Sequence, residues 1–304
     1  MRKLLVPVSG QYDPEHPESL DEAALAAGFT MARHLDAHME VFCIEAERQG
    51  APKQLASWVP GSAVNDVLSS IEAEHEKRRR RARATFTEVA TRFGGPPLEQ
   101  PGTGTGFSVD FVQRAGDVGD AVAARGRVAD LVVAANHGGG GKPSTILLTA
   151  LRQTGRPVLV APREPVRTIG QRILVAWNGR LEASRAVAMS MDLLLKAAEV
   201  TVVSVSEDGM ADPSAEDLTD YLKLHGIRAR RVALDRPPDA IGSVLLDQAR
   251  QVDADLMVLG ACIRHRLEQR LFGSVTRELL DAATIPMVMV HYAGRTIGKG
   301  SQES

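Results

Sequence analysis

The second half of the chain alternates short apolar runs with longer segments of helical periodicity. RILVAW, EVTVVSVS, IRARRVAL, LMVLG and PMVMV are predicted as strands, with helices between them, LEASRAVAMSMDLLLKAA being read as one helix. LMVLG and PMVMV are apolar throughout, as is typical of strands buried on both faces. Strands that alternate with helices favour a parallel sheet with right-handed crossovers. The pattern therefore predicts an open, parallel α/β domain of about five strands.

The first half repeats this pattern. Three pairs of segments correspond: KLLVPVSG with RILVAWNG, ADLVVAAN with ADLMVLGA, and RPVLVAP with IPMVMVH. An internal repeat predicts two copies of one unit. We place the boundary near residue 168, in a short Pro- and Gly-containing linker, which gives domains 1–168 and 169–304. The predicted fold class is α/β, with two repeated, doubly wound, Rossmann-like domains of five parallel strands each and helices on both faces.

One segment of the first half has no counterpart in the second. PGSAVNDVLSSIEAEHEKRRRRARATFTEVATRFGG, between the second and third strands, is predicted as a long helix. Its basic run, residues 77–81 with Arg83, is typical either of a nucleic-acid patch or of a solvated helix face. Glutamates precede two of the arginines by four residues, and no aromatic residues accompany the run for base stacking. We favour the solvated face and expect no nucleic-acid partner.

Composition further limits the classes of protein to which the chain can belong. The chain has 304 residues, 44% hydrophobic and 24% charged, with a net charge of −2. These values are ordinary for a globular protein, and the charge provides no global attraction to nucleic acid or membrane. Two cysteines, Cys43 and Cys262, suggest no disulfide framework, and no run reaches the roughly 18 apolar residues of a membrane span. We expect a cytoplasmic protein with no membrane partner.

Several short motifs look functional without meeting the chemical requirements. NHGGGGKPST resembles a phosphate loop, but Asn136 replaces the first glycine and Pro143 follows the lysine, so a flexible loop is favoured over an anion site. His34 and His38 lack the glutamate of a zinc helix and are interpreted as surface residues near a helix end. Nothing marks a general base beside Cys262. We therefore assign no catalytic and no metal residues.

The segment 254–291 carries the most specific signal. Gly260 ends an apolar run, and thirteen residues later Gly273-Ser274 opens a helix. A turn followed by a helix cap explains both glycines, and so does a phosphate-binding backbone. The segment resembles the G-x2-G-x9-G-[S/T] signature of the universal stress protein family, with Ile263 at the second glycine and Val275-Thr276 continuing the family's wording. The repeat extends the resemblance to a tandem universal stress protein.

The resemblance implies an adenine-nucleotide pocket in the second domain, outside the C-terminal ends of the strands. The ligand is ATP or AMP, with Mg²⁺ in the case of ATP. The residues implied at the base, sugar and phosphates are Ala176, Asn178, Val205, Leu259, Gly260, Arg264, Gly273, Ser274, Val275 and Thr276. Phosphate would lie at the helix N-terminus that Gly273 opens.

Departures from the family pattern weaken this expectation. Asn178 replaces an aspartate, and Ile263, being β-branched, disfavours the positive φ that a glycine adopts. We expect Ile263→Gly to tighten ATP binding by relieving this strain. In the first domain, Ser9 replaces the aspartate, Ala135 stands near the first glycine, and Ser144-Thr145 replaces Gly-Ser. That domain is not expected to bind ATP in the family's way.

The resemblance indicates a stress-response regulatory or sensing protein. Two alternatives remain open, namely an interaction protein with vestigial pockets and, less favoured, a slow ATPase. The last strands of the two halves, VLVAP and MVMVH, would each leave an apolar edge, so we expect them to pair within the chain. A homodimer and an unidentified protein partner are further expectations.

Overall fold

The computed structural model describes most of the chain. The described residues are 1–11, 20–46, 61–94, 106–136, 138, 143–206, 213–235, 240–263 and 272–291. The first half contains β1 (Lys3–Val8), α1 (Leu20–Leu35), β2 (His38–Ala46), α2 (Gly61–Arg92), β3 (Ser108–Gly116), α3 (Val118–Gly126), β4 (Leu131–Ala135), α4 (Thr145–Gln153) and β5 (Val158–Ala161). The second half contains β6 (Arg172–Trp177), α5 (Leu181–Met189), α6 (Met191–Lys196), β7 (Glu199–Ser206), α7 (Pro213–Leu224), β8 (Ala229–Asp235), α8 (Ile241–Gln251), β9 (Leu256–Ala261), α9 (Ser274–Ala282) and β10 (Met287–His291).

The described strands form one ten-stranded sheet in the order β3-β2-β1-β4-β5-β10-β9-β6-β7-β8. All neighbours within each half are parallel, which confirms the predicted α/β class with repeated parallel sheets. The halves meet where β10 runs antiparallel to β5, with Met287 opposite Val160 and Met289 opposite Val158. In each half the strand order reverses beside the first strand, between β1 and β4 and between β6 and β9. Ligands of open α/β sheets bind at such switch points.

The sheet is buried on both faces. Leu4 and Val6 of β1 enter one hydrophobic layer together with Leu25 and Phe29 of α1. Leu5, between them, enters the opposite layer with residues of α3 and α4. Successive side chains of a strand point to opposite faces, so an unbroken apolar run is required when helices cover both.

An aspartate repeats its role at the start of each domain's first strand. Asp255 accepts hydrogen bonds from the backbone N–H groups of Gly170 (3.0 Å), Gln171 (3.2 Å) and Arg172 (2.9 Å). Asp130 likewise accepts from the backbone of Arg2 and Lys3. Partial burial alone would raise the pKa of Asp130, but these two N–H groups and the nearby amino terminus lower it overall. Each aspartate ties a strand's first residues to the neighbouring strand.

Two local predictions were wrong. The segment read as one helix after β6 is divided at Ser190 into α5 and α6. His34 and His38 are not simple surface residues. His38 begins β2 with its Nδ1 2.9 Å from Ser108 Oγ, and His34 lies against the second half with its Nδ1 3.1 Å from Gln171 Nε2. Both imidazoles make polar contacts that join elements distant in sequence.

The long helix of the first half is present as α2. Phe86 is buried and stacks on Phe29 of α1, which fixes one face of α2 against the domain. The arginines of α2 pair with glutamates of the same helix: Arg78 Nε is 3.3 Å from Glu74, and Arg80 Nε is 2.6 Å from Glu76. The basic run therefore carries carboxylates within its own helix, which reduces its positive field.

Loss of the Asp255 carboxylate should weaken the second domain. In Asp255→Ala three backbone N–H groups lose their acceptor in a site that is only 9% exposed. We expect a loss of about 1.5–3 kcal/mol in the free energy of unfolding. Urea denaturation followed by circular dichroism measures this. The control Asp247→Ala, which removes an exposed carboxylate from α8, should remain within about 0.5 kcal/mol of the wild type. Equal midpoints for the two variants would contradict the role of Asp255.

The paired arginines of α2 should not confer nucleic-acid binding. We expect no shift of duplex DNA at micromolar protein and about 150 mM salt, because non-specific phosphate contacts weaken steeply with salt. A gel-shift titration between low and physiological salt checks this. A complex that persists at the higher salt, and is lost when Lys77, Arg79 and Arg81 are changed to glutamine, would contradict the prediction.

Candidate functional site

A cavity of about 280 Å³ lies at the C-terminal ends of β6 and β9, at the switch point of the second half. Nine predicted residues line it: Ala176, Asn178, Val205, Leu259, Gly260, Gly273, Ser274, Val275 and Thr276. The tenth, Arg264, lies outside the described residues. The fold thus brings together residues from three strands and from the start of α9.

One end of the cavity is apolar and the other is rich in backbone polar groups. Sequence reasoning missed part of the apolar end: Val203 of β7, and Ile241 and Leu245 of α8. The sequence pattern predicts helix α8. It does not show which strands this helix packs against. Trp177 also lines the cavity, but its ring packs in the opposite hydrophobic layer, where its Nε1 donates to Ser214 Oγ at 2.9 Å. The cavity therefore offers an apolar end beside a polar rim.

Gly260 is required by helix packing. A Cβ at this position would lie 2.6 Å from the backbone N of Ala183 and 2.6 Å from the carbonyl carbon of Glu182. Both contacts belong to the first turn of α5, which therefore lies directly against β9. The geometry thus supports a structural explanation for Gly260, namely the close packing of α5 on β9.

Gly273 leaves the start of α9 uncapped. It occupies the N-cap position with φ −63° and ψ 159°, and no side chain caps the helix. Its own N–H donates to the carbonyl of Cys262 at 2.9 Å, while Thr276 Oγ1 accepts from the N–H of Cys262 at 3.3 Å. The first N–H groups of α9 and the exposed Ser274 hydroxyl remain at the cavity, where the positive end of the helix dipole favours an anion.

The expectation for Ile263 was wrong. Among the described non-glycine residues, only Asp36 and Asp253 have positive φ, so Ile263 holds no left-handed strain. It forms an isolated antiparallel bridge with Phe272, is 9% exposed and packs in the same hydrophobic layer as Phe272. It does not line the cavity. Ile263→Gly would remove buried contacts and relieve nothing, so the expected gain in ATP affinity loses its basis.

Asn178 uses its acceptor within the protein. Its Oδ1 accepts a hydrogen bond from the backbone N–H of Arg180 at 3.1 Å, which closes the turn between β6 and α5. Gly179, inside this turn, has φ +67°, a conformation that glycine adopts without strain. The amide nitrogen of Asn178 is therefore the group left for a ligand.

The equivalent cleft of the first half is closed by α2. Gly10 has φ +61°, and a Cβ on it would overlap the backbone carbonyl of Arg78. The remaining space, about 50 Å³, is lined by Ser9 together with His75 and Arg78 of α2. Beneath it, Asp21 accepts from the N–H groups of Ser9 (3.0 Å) and Gly10 (2.6 Å), and burial raises the pKa of this carboxyl.

Helix α4, which follows the glycine-rich segment of the first half, differs from α9 at its N-terminus. Ser144 Oγ accepts from the N–H of Leu147 at 3.1 Å and so caps α4. Asn136, the first residue of the glycine-rich segment, donates its side-chain amide to the carbonyl of Leu280 across the join between the halves. Residues 137 and 139–142 lie outside the described residues.

Two kinds of feature are absent from the described part of the chain. No group of three or more His, Cys, Asp or Glu side chains there is arranged to hold a metal ion. Within the same part, no helix combines the length and hydropathy that crossing a bilayer requires.

Comparison with known proteins finds a similarity in the second half. Residues 170–291 match the model of the universal stress protein family. A universal stress protein from Archaeoglobus fulgidus is similar in structure, with a TM-score of 0.66 and 12% identity over 95% of this chain and 98% of that one. A functionally unknown protein from Pseudomonas aeruginosa PAO1 gives a TM-score of 0.52 and 16% identity over 95% and 92%. These similarities show the fold. No curated protein matches significantly.

The two motif glycines should differ in their importance for folding. Gly260→Ala forces α5 away from β9 and should cost about 1–3 kcal/mol of unfolding free energy. Gly273→Ala places its Cβ 3.2 Å from Cys262 Cβ in an ordinary backbone conformation, and should remain within about 1 kcal/mol of the wild type. Urea denaturation of both variants measures the difference. Equal destabilisation would contradict the packing role of Gly260.

Proposed function

Since residues 170–291 match the model of the universal stress protein family, we propose that this domain binds an adenine nucleotide, ATP or AMP, and that the chain is a stress-response regulatory or sensing protein. The proposal rests on one observation above all. An uncapped helix N-terminus, that of α9, opens onto a cavity whose other end is apolar. The apolar end suits an adenine base, and the free N–H groups suit a phosphate.

The lining suggests how such a ligand is held. Ala176, Val205 and Leu259 would contact the two faces and the edge of the adenine, and Leu245 would cover it. The N–H groups of Ser274 and Val275 would donate to phosphate oxygens, helped by the helix dipole. The apolar contacts supply affinity and the backbone donors fix orientation.

Magnesium would accompany ATP through the phosphates. The described lining residues include no carboxylate, so the side chains present fit a metal poorly. They include no imidazole either, so neither His, Asp nor Glu is available as a general base for hydrolysis in the described part of the cavity. A slow ATPase is therefore less favoured than a nucleotide-binding regulator.

The main alternative is an interaction protein with vestigial pockets. It is favoured by Gly260, which helix packing alone explains, and by the first-half cleft that α2 closes. On either alternative we place the protein in the cytoplasm, where its two cysteine thiols would remain reduced.

Nucleotide binding should depend on Gly273 and be indifferent to Ser144. Isothermal titration with AMP and with Mg²⁺-ATP should show one site per chain. Gly273→Val should abolish it, because the larger side chain presses on Cys262 and covers the start of α9. Ser144→Ala, the matched change at the cap of α4, should leave the affinity unchanged while costing about 1 kcal/mol of stability.

Circular dichroism of Gly273→Val must first show a folded protein. Absence of heat from the wild type with both nucleotides would contradict the proposal and favour the interaction protein. Binding that survives Gly273→Val and disappears in Ser144→Ala would place the site in the first half and contradict the assignment to the second.

A further inference from the structure

The rim of the cavity beside β6 points to a more specific ligand. We propose that this site, if it is the adenine-nucleotide site proposed above, selects nucleotides whose ribose carries a phosphate at its 2′ or 3′ oxygen. The rim consists of the turn Asn178-Gly179-Arg180, and both Asn178 and Arg180 line the cavity. This turn determines which hydrogen-bonding groups face the cavity.

A ribose with two free hydroxyls is commonly bound by a carboxylate, which accepts hydrogen bonds from the diol. Asn178, which replaces the aspartate expected from the family resemblance, lacks that charge, and its oxygen already accepts from the N–H of Arg180 at 3.1 Å. Because the backbone N–H is a donor, the side-chain oxygen must face it and the NH₂ group must face away. The turn thus presents a donor where a diol needs an acceptor.

The same turn exists in the first half, which shows that the bond is structural. Ser9 and Gln11 correspond to Asn178 and Arg180, since β1 and β6 pair with β4 and β9 in the same register. The N–H of Gln11 donates to Ser9 Oγ at 3.3 Å, as the N–H of Arg180 does to Asn178 Oδ1. The turn is therefore common to both halves, whereas the positive side chain belongs only to the half with an open cavity.

Arg180 supplies the charge that a phosphate needs. It is exposed, lies at the N-cap of α5 and lines the cavity. In the ranges that the structure describes, no carboxylate pairs with it, and none lines the cavity. A guanidinium with an adjacent amide donor matches a phosphate monoester, and arginine near a ribose is the usual partner of a 2′-phosphate.

The test compares three nucleotides with one base. AMP, adenosine 2′,5′-bisphosphate and adenosine 3′,5′-bisphosphate are titrated calorimetrically into the wild type at about 150 mM salt. At least one bisphosphate should bind about tenfold more tightly than AMP, as expected for one added charge-assisted hydrogen bond. The bisphosphate that binds more tightly shows whether the site prefers a phosphate on the 2′ or on the 3′ oxygen.

Variants assign the preference to the turn. Arg180→Gln should remove the tenfold difference between the bisphosphate and AMP. Arg185→Gln removes the same charge from α5 outside the cavity and should retain the preference, which separates contact from overall charge. Asn178→Asp keeps an acceptor for the N–H of Arg180, presents a second acceptor to the ligand and should shift the preference towards AMP.

The outcomes separate this inference from the proposed function. AMP binding as tightly as both bisphosphates, or a preference that survives Arg180→Gln, would overturn the inference while leaving a nucleotide site. If none of the three ligands binds, the proposed function fails and the inference fails with it.

Discussion

The antiparallel pairing of β5 with β10 is the contact on which the architecture depends. Within each half the strand order places the fifth strand at an edge, and both fifth strands are apolar and almost wholly buried. Left unpaired, each would expose a row of backbone donors and acceptors on an apolar strand. Joining them makes one sheet, and because the two halves then run in opposite directions, their C-terminal strand ends lie at opposite edges. Each switch point thus faces its own side of the molecule.

The two halves share this frame and differ in what occupies the space above the switch point. In the first half, α2 lies over the turn after β1, with the carbonyl of Arg78 against Gly10, and Ser144 satisfies the start of α4. In the second half the same crossover is the shorter α7, 12 residues against 32 in α2, and Gly273 gives α9 no side-chain cap. The same strand order therefore yields one closed and one open cleft, through the length of one crossover helix and one substitution at a cap.

The fold could be predicted from sequence because it is repeated and because strands buried on both faces leave unbroken apolar runs, as in LMVLG and VLVA. The lining of the site followed from a motif whose residues lie at strand ends and one helix start. What escaped prediction depends on contacts between distant segments. Ile263 is held by Phe272 and not by its own backbone preference, and the closure of the first cleft depends on Arg78 meeting Gly10. A local sequence pattern carries no information about either of these contacts.

Gly260 shows why packing and binding need not be alternatives for a motif glycine. Its missing Cβ lets the first turn of α5 approach β9, with Ala183 and Glu182 at the contact. The turn Asn178-Gly179-Arg180 leads directly into that helix, so the position of α5 sets where the amide of Asn178 and the guanidinium of Arg180 stand over the cavity. A side chain at Gly260 would displace α5 and the rim with it. The glycine then shapes the site through the helix that it admits.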